Sequence, residues 1–215
     1  MPIATQAPSG PAACEITRRG IDRFIPFSDV VERHDTLIDA PADLVMDVAM
    51  NLDIMAIPAV RFIFWAREKL LRSTPAPPTP HRSLAAMTRS IGWSVLALRP
   101  GREYVSGAAA QPWKADVVFH PVSPADFFDY TEPDQVKIAW TLEAIPEGPA
   151  RTRFVTETRV VATDDGAREK FRRYWRFFGV GIVAIRWLLV PAVRRRAERR
   201  YAETQVRHDH GAVIL

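Results

Sequence analysis

Residues 151–190 read RTRFVTETRVVATDDGAREKFRRYWRFFGVGIVAIRWLLV, and two periodicities meet inside them. From Arg151 to Thr163 the chain is rich in Thr and Val. Phe154, Thr156, Thr158 and Val160 fall on one side of a period-two strand, with Glu157 on the other. After Asp164-Asp165-Gly166 the period changes. Phe171, Trp175, Phe178, Ile182, Ile185 and Leu189 recur at helical spacing, which predicts one long helix from about Asp165 to Ala202. A helix with such a stripe must bury it, and the preceding strand is the nearest partner.

The segments before this stretch extend the same sheet. Val136, Ile138, Trp140 and Leu142 alternate with Lys137, Ala139, Thr141 and Glu143, and Pro146-Glu147-Gly148-Pro149 turns the chain into the strand at Arg151. Trp93–Leu98 and Arg102–Ala108 flank Arg99-Pro100-Gly101, a hairpin signal. Lys114–His120 alternates as a further strand, whereas Ser123–Thr131 fits strand or helix. Toward the start, Val30–Ile38 reads as a first strand. A helix follows Asp39-Ala40-Pro41, with Leu44, Val45, Val48, Ala49 and Leu52 on one face. Pro58 opens a second helix, the prolines of Ser73–Pro80 require a loop, and Ser83–Ile91 suits a short third helix. Short turns between consecutive strands imply antiparallel pairing. The expected class is therefore α+β: six to seven antiparallel strands, two or three short helices after the first strand, and a long C-terminal helix. Residues 28–203 are expected to form the domain, 1–27 a flexible lead-in and 204–215 a polar tail.

Composition narrows the function classes. The chain has 215 residues, 47% of them hydrophobic, enough for one sizeable core. A single cysteine excludes a disulfide scaffold and fits a reducing compartment. No basic, then apolar, leader opens the sequence, so a cytoplasmic location is expected. The net charge of +4 is uneven. Residues 167–200 carry ten Arg and one Lys against Glu169 and Glu198, while the first 166 residues are net acidic. That distribution speaks against a nucleic-acid platform, which spreads basic residues among stacking aromatics. The apolar run Phe177–Val193 is interrupted by Arg186 and Pro191, which favours a buried core helix over a membrane span. The run Arg194–Arg200 is first a solvated helix end, where cations suit the macrodipole, and second a contact for anionic lipid headgroups.

The element order, together with Leu37-Ile38-Asp39-Ala40-Pro41, Val45 and Asn51-Leu52-Asp53, resembles the opening of the START-like, or SRPBCC, helix-grip superfamily. That group includes the birch-pollen-allergen family, lipid-transfer START domains and polyketide cyclases. Glu103…Gly107, Trp113, Thr156-Glu157-Thr158-Arg159-Val160 and Phe171…Tyr174-Trp175 resemble a bacterial branch of it. The resemblance implies a curved sheet wrapped around the last helix, with space between them for an apolar ligand.

The residues that alternation and helical spacing aim into that space are Ile138, Trp140, Phe154, Thr156 and Thr158 from the strands, with Tyr104 and Trp113 at its margin, and Phe178, Ile182 and Ile185 from the helix. Arg186 lies one turn beyond Ile182, beside the stripe, and a buried Arg needs a partner, for which Glu157 and Glu103 are available. The competing expectation is a filled core, with Arg186 snorkelling to the surface and Glu157 facing outward. No catalytic residue, metal site or cofactor is expected. His208-Asp209-His210 sits in the polar tail, His34, His81 and His120 stand alone, and Cys14 has no nearby base. The first functional expectation is binding or carriage of a small apolar, lipid-like or polyketide-like molecule. The alternatives are a cyclase- or dehydratase-type enzyme acting on such a molecule, and a membrane-surface protein using the Arg-rich helix end.

Overall fold

The computed structural model describes residues 20–74 and 83–212, and side chains up to residue 207. Cys14, His81 and the first nineteen residues of the lead-in lie outside the described residues, as do the side chains of His208 and His210. A 3₁₀ turn at Gly20–Arg23 precedes β1 (Val30–Ile38), α1 (Ala42–Met50), a second 3₁₀ turn (Ile54–Ala56), α2 (Pro58–Leu71) and α3 (Leu84–Ser90). Then come β2 (Ser94–Arg99), β3 (Glu103–Ala110), β4 (Phe119–His120), β5 (Val136–Gly148), β6 (Arg151–Ala162) and α4 (Asp165–Ala212). The six strands form one antiparallel sheet in the order β1-β6-β5-β3-β2, with β4 paired to β3. The fold is the α+β arrangement of sheet, short helices and long C-terminal helix that the periodicities predict.

Local chemistry explains the boundaries. Gly101, at φ 69°, supplies the left-handed residue of the β2–β3 hairpin. Asp164 starts α4, its side chain accepting from the Ala167 N–H at 2.7 Å. β5 and β6 pair along nearly their whole length, which keeps the even-numbered residues of both strands on one face.

That even face meets α1 and α4 through two apolar clusters. One joins Ile38, Leu142 and Phe154 to Val45 and Ala49 of α1 and to Leu189, Val193 and Ala197 of α4. The other joins Val136 and Val160 to Ala167, Phe171 and Tyr174 of α4. Burying each large side chain here contributes about 1.5–3 kcal/mol.

Four expectations are corrected. The lead-in is ordered from Gly20. Ile21, Phe24 and Ile25 are buried against Val105, Ala139 and Phe127 on the odd face of the sheet, because that face is also apolar and needs a cover. Lys114–His120 contributes only the two-residue β4, since Ser73 and Thr74 bond to Ala115 and Asp116 in place of a strand partner. α4 runs through Pro191, and through residues assigned to a polar tail, to Ala212. Finally, the middle of α4 is not a buried core helix: no residue from Val180 to Leu188 is buried, and only 22% of its most apolar window is buried. The buried residues of α4 lie toward its two ends, in the cluster with Ala167, Phe171 and Tyr174 and in that with Leu189, Val190, Val193 and Ala197.

Candidate functional site

The sheet register places the even-face residues in rows across the strands. One row is Glu32, Thr158, Trp140 and Ser106; the next is His34, Thr156, Leu142 and Tyr104. The middle of α4 passes over the β1 end of these rows. There Arg186 donates to the Glu32 carbonyl at 3.2 Å and to the Thr158 hydroxyl. Its Nε is sealed from solvent and has no hydrogen-bond partner. Burial pushes the Arg186 guanidinium down to about 10, against the opposing pull of the Glu32 and Glu157 carboxylates. Arg186 therefore stays cationic at neutral pH with part of its donor capacity unspent.

Two further polar atoms on the same face are sealed without a partner. His34 Nε2 lies 3.9 Å from a Glu32 carboxylate oxygen, beyond hydrogen-bond reach, and its ring meets Trp187 edge-on with centroids 6.3 Å apart. The Tyr104 hydroxyl is also unpaired, with its ring edge-on to Trp140 at 5.5 Å. Three strand spacings separate His34 from Tyr104, roughly 14 Å.

Tyr104 is buried in the cluster that includes α1, Ile185 is half-buried on α4, and the other nine residues expected from the sequence divide as follows. Phe154 is fully buried and Trp140 half-buried in the cluster that includes α1. Ile138, Trp113, Phe178 and Ile182 are half-buried against the cluster under the first part of α4. Thr156 and Thr158 are buried on the polar seam between the two, where Arg186 completes the set. A concavity of about 280 Å³ opens between the end of α2 and the first half of α4. It is lined by Leu71, Trp113, Tyr174, Phe177 and Phe178, with Lys170 and Arg173 at its rim. It shares Trp113 and Phe178 with the expected wall and lies toward the molecular surface.

The proposed partners of Arg186 are corrected. Glu157 keeps its predicted parity and points to the odd face, but that face is covered, so Glu157 is buried at 1% exposure. It is paired there with Arg33 at 2.8 Å and Arg159 at 2.6 Å. Glu103 is likewise on the odd face, bound to Arg99 and to the Gly20 N–H. Arg186 instead uses a threonine hydroxyl and a main-chain carbonyl. His34 is the residue that sequence inspection passes over. Its even parity with Thr36 and Ile38 in β1 is the signal that could have found it. Among the described residues, no group of three His, Cys, Asp or Glu side chains is disposed to hold a metal ion.

No family model matches the sequence. No curated protein matches it either. Solved structures do. An aromatase/cyclase from a Streptomyces species aligns at 17% identity over 80% of this chain and 94% of its own, with a TM-score of 0.28. A Deinococcus radiodurans protein aligns at 14% identity over 68% and 95%, with a TM-score of 0.30. A hypothetical protein from Helicobacter pylori aligns at 8% identity over 92% and 99%, with a TM-score of 0.38. These are distant likenesses.

Proposed function

We propose that the protein binds a small apolar molecule carrying one carbonyl or carboxylate, held between the middle of α4 and the even face of the sheet. The observation that carries this reading is Arg186, a charged side chain held beneath a helix with a sealed, unpartnered Nε among half-buried apolar walls. A buried donor without a partner is costly, and a ligand oxygen removes that cost in a low-dielectric site. Trp140, Ile138, Phe178 and Ile182 supply the apolar contact, and the groove at Trp113 and Phe178 offers a route inward. Titration with a fluorescent fatty acid and its methyl ester tests the reading. Wild type should prefer the acid, and Arg186→Met should bind both equally. Failure to bind either probe, or an unchanged preference in the variant, refutes it.

The enzymatic alternative, a cyclase- or dehydratase-type reaction on such a ligand, draws on the unpaired Tyr104 hydroxyl and His34 Nε2. Each is left with an unused hydrogen-bonding position, and a general acid or base acts only within hydrogen-bond reach of the proton it moves. Conversion of a bound polyketide-like substrate that disappears in Tyr104→Phe or His34→Gln, with affinity retained, would favour catalysis over carriage.

A further inference from the structure

α4 and α2 each carry large apolar side chains that no described residue covers. On α4, Phe177 is 71% exposed, Val180 75% and Trp187 68%. On α2, Phe62, Trp65 and Leu70 are more than half exposed, and the Phe62 and Trp65 rings stack at 5.6 Å. The two helices pack directly. A side chain added at Gly181 would come within 3.1 Å of Ile63, and the Arg67 Nε donates to the Tyr174 hydroxyl at 3.5 Å. Folded monomers rarely expose this many large apolar side chains on two packed helices without a use for them.

The charges around this surface indicate its partner. At 100° per residue, Arg173, Arg176, Phe177, Val180, Ala184, Trp187, Pro191, Arg194 and Arg195 all fall within an arc of about 100° on α4. The outer line of the helix is thus cationic, then apolar, then cationic. Arg172, Arg173 and Arg176 are exposed at one end, and Arg194, Arg195, Arg196, Arg199 and Arg200 at the other. Arg61 and Lys69 are exposed on α2, as is Arg72 at its C-cap. The carboxylates Glu169 and Glu198 are already paired with Arg173 and Arg194. Arg195, Arg196 and Arg199 have no carboxylate partner among the described residues.

We infer that this face docks onto an anionic lipid bilayer, with the outer line of α4 and the Phe62–Trp65 pair entering the interfacial layer. The disposition is that of a helix lying in the interface, an apolar face framed by arginines with tryptophans at headgroup depth. α4 is long and apolar enough to cross a membrane, but Arg186 ties its inward side to β1 and β6, so it lies along the surface. A second copy of the chain is a poor occupant. Both ends of the apolar segment are cationic, so pairing this face with itself along α4, in either direction, sets arginine clusters against each other. The inference does not depend on the ligand reading.

Sedimentation of the full chain with phosphatidylcholine vesicles, and with vesicles containing one third phosphatidylglycerol, tests it. Binding should require the anionic lipid. Val180→Ser combined with Trp187→Ser should abolish it, and Arg176→Gln combined with Arg195→Gln should weaken it by about fivefold per arginine at low salt. Val180, Arg176 and Arg195 are exposed on the outer line, so their substitution should leave thermal melts as in wild type; Trp187 also meets the His34 ring, so Val180→Ser alone, which should weaken binding with an unchanged melt, separates lost docking from lost packing. Equal binding to the neutral vesicles, or undiminished binding by the serine variant, overturns the inference. So does absence of vesicle binding together with a dimer in light scattering that the serine variant dissociates.

Discussion

Replacing Arg186 by methionine should stabilise the protein while impairing its binding of acids. The folded chain lowers the guanidinium from its ordinary value to about 10. By linkage, that burial costs about 3 kcal/mol at neutral pH. Methionine keeps the length and packing of the stem and removes the charge. The variant forfeits two hydrogen bonds, to Thr158 and to the Glu32 carbonyl, worth about 1 kcal/mol each. The balance favours methionine by about 1 kcal/mol, or a rise in Tm of about 2–4 °C for a chain of this size. The sign with pH also follows. A cationic group whose folded pKa lies below its unfolded value carries its full penalty at every pH below about 10, and sheds it only as pH rises above that toward the ordinary guanidinium value. The difference between variant and wild type should therefore be flat from about pH 6 to 9. Urea unfolding at three pH values, run beside the fatty-acid titration, measures both effects. A variant destabilised by about 2 kcal/mol or more would refute the reasoning, because Arg186 would then be a structural tie and not a group held at a cost for a ligand.

Two further outcomes test the frame around the site. Gly107→Ala adds a methyl group that would meet Leu96 at 2.6 Å and Phe127 at 2.7 Å, so it should overpack the odd-face cluster and cost about 1–3 kcal/mol in urea unfolding. Asp164 is held below the usual carboxylate range by the backbone N–H groups of Ala167 and Asp134. Its stabilisation is therefore present above the unfolded pKa and lost as pH falls through the lower folded value. Asp164→Ala should be less stable than wild type at pH 7 and converge on it in acid, as thermal melts across that range would show.

Alternation in β5 and β6, and the stripe on α4, were legible in the sequence because each depends on residues only two to four positions apart. They place Trp140, Thr156 and Thr158 on the face that α4 spans, and they place Glu157 opposite. Parity names a face but not what covers it. That Glu157 is buried depends on Ile21, Phe24 and Ile25 returning to the odd side of the sheet from more than a hundred residues away. His34 stands alone in the chain. It becomes part of the polar seam only because β1 pairs with β6 and lies beneath Arg186 and Trp187. The stripe likewise identifies which side of α4 turns inward, but not how closely the sheet approaches it. The tertiary packing of α4 against the sheet and the short helices decides that, leaving the middle of α4 half-buried beneath and exposed above, where a local pattern reports only an apolar helix.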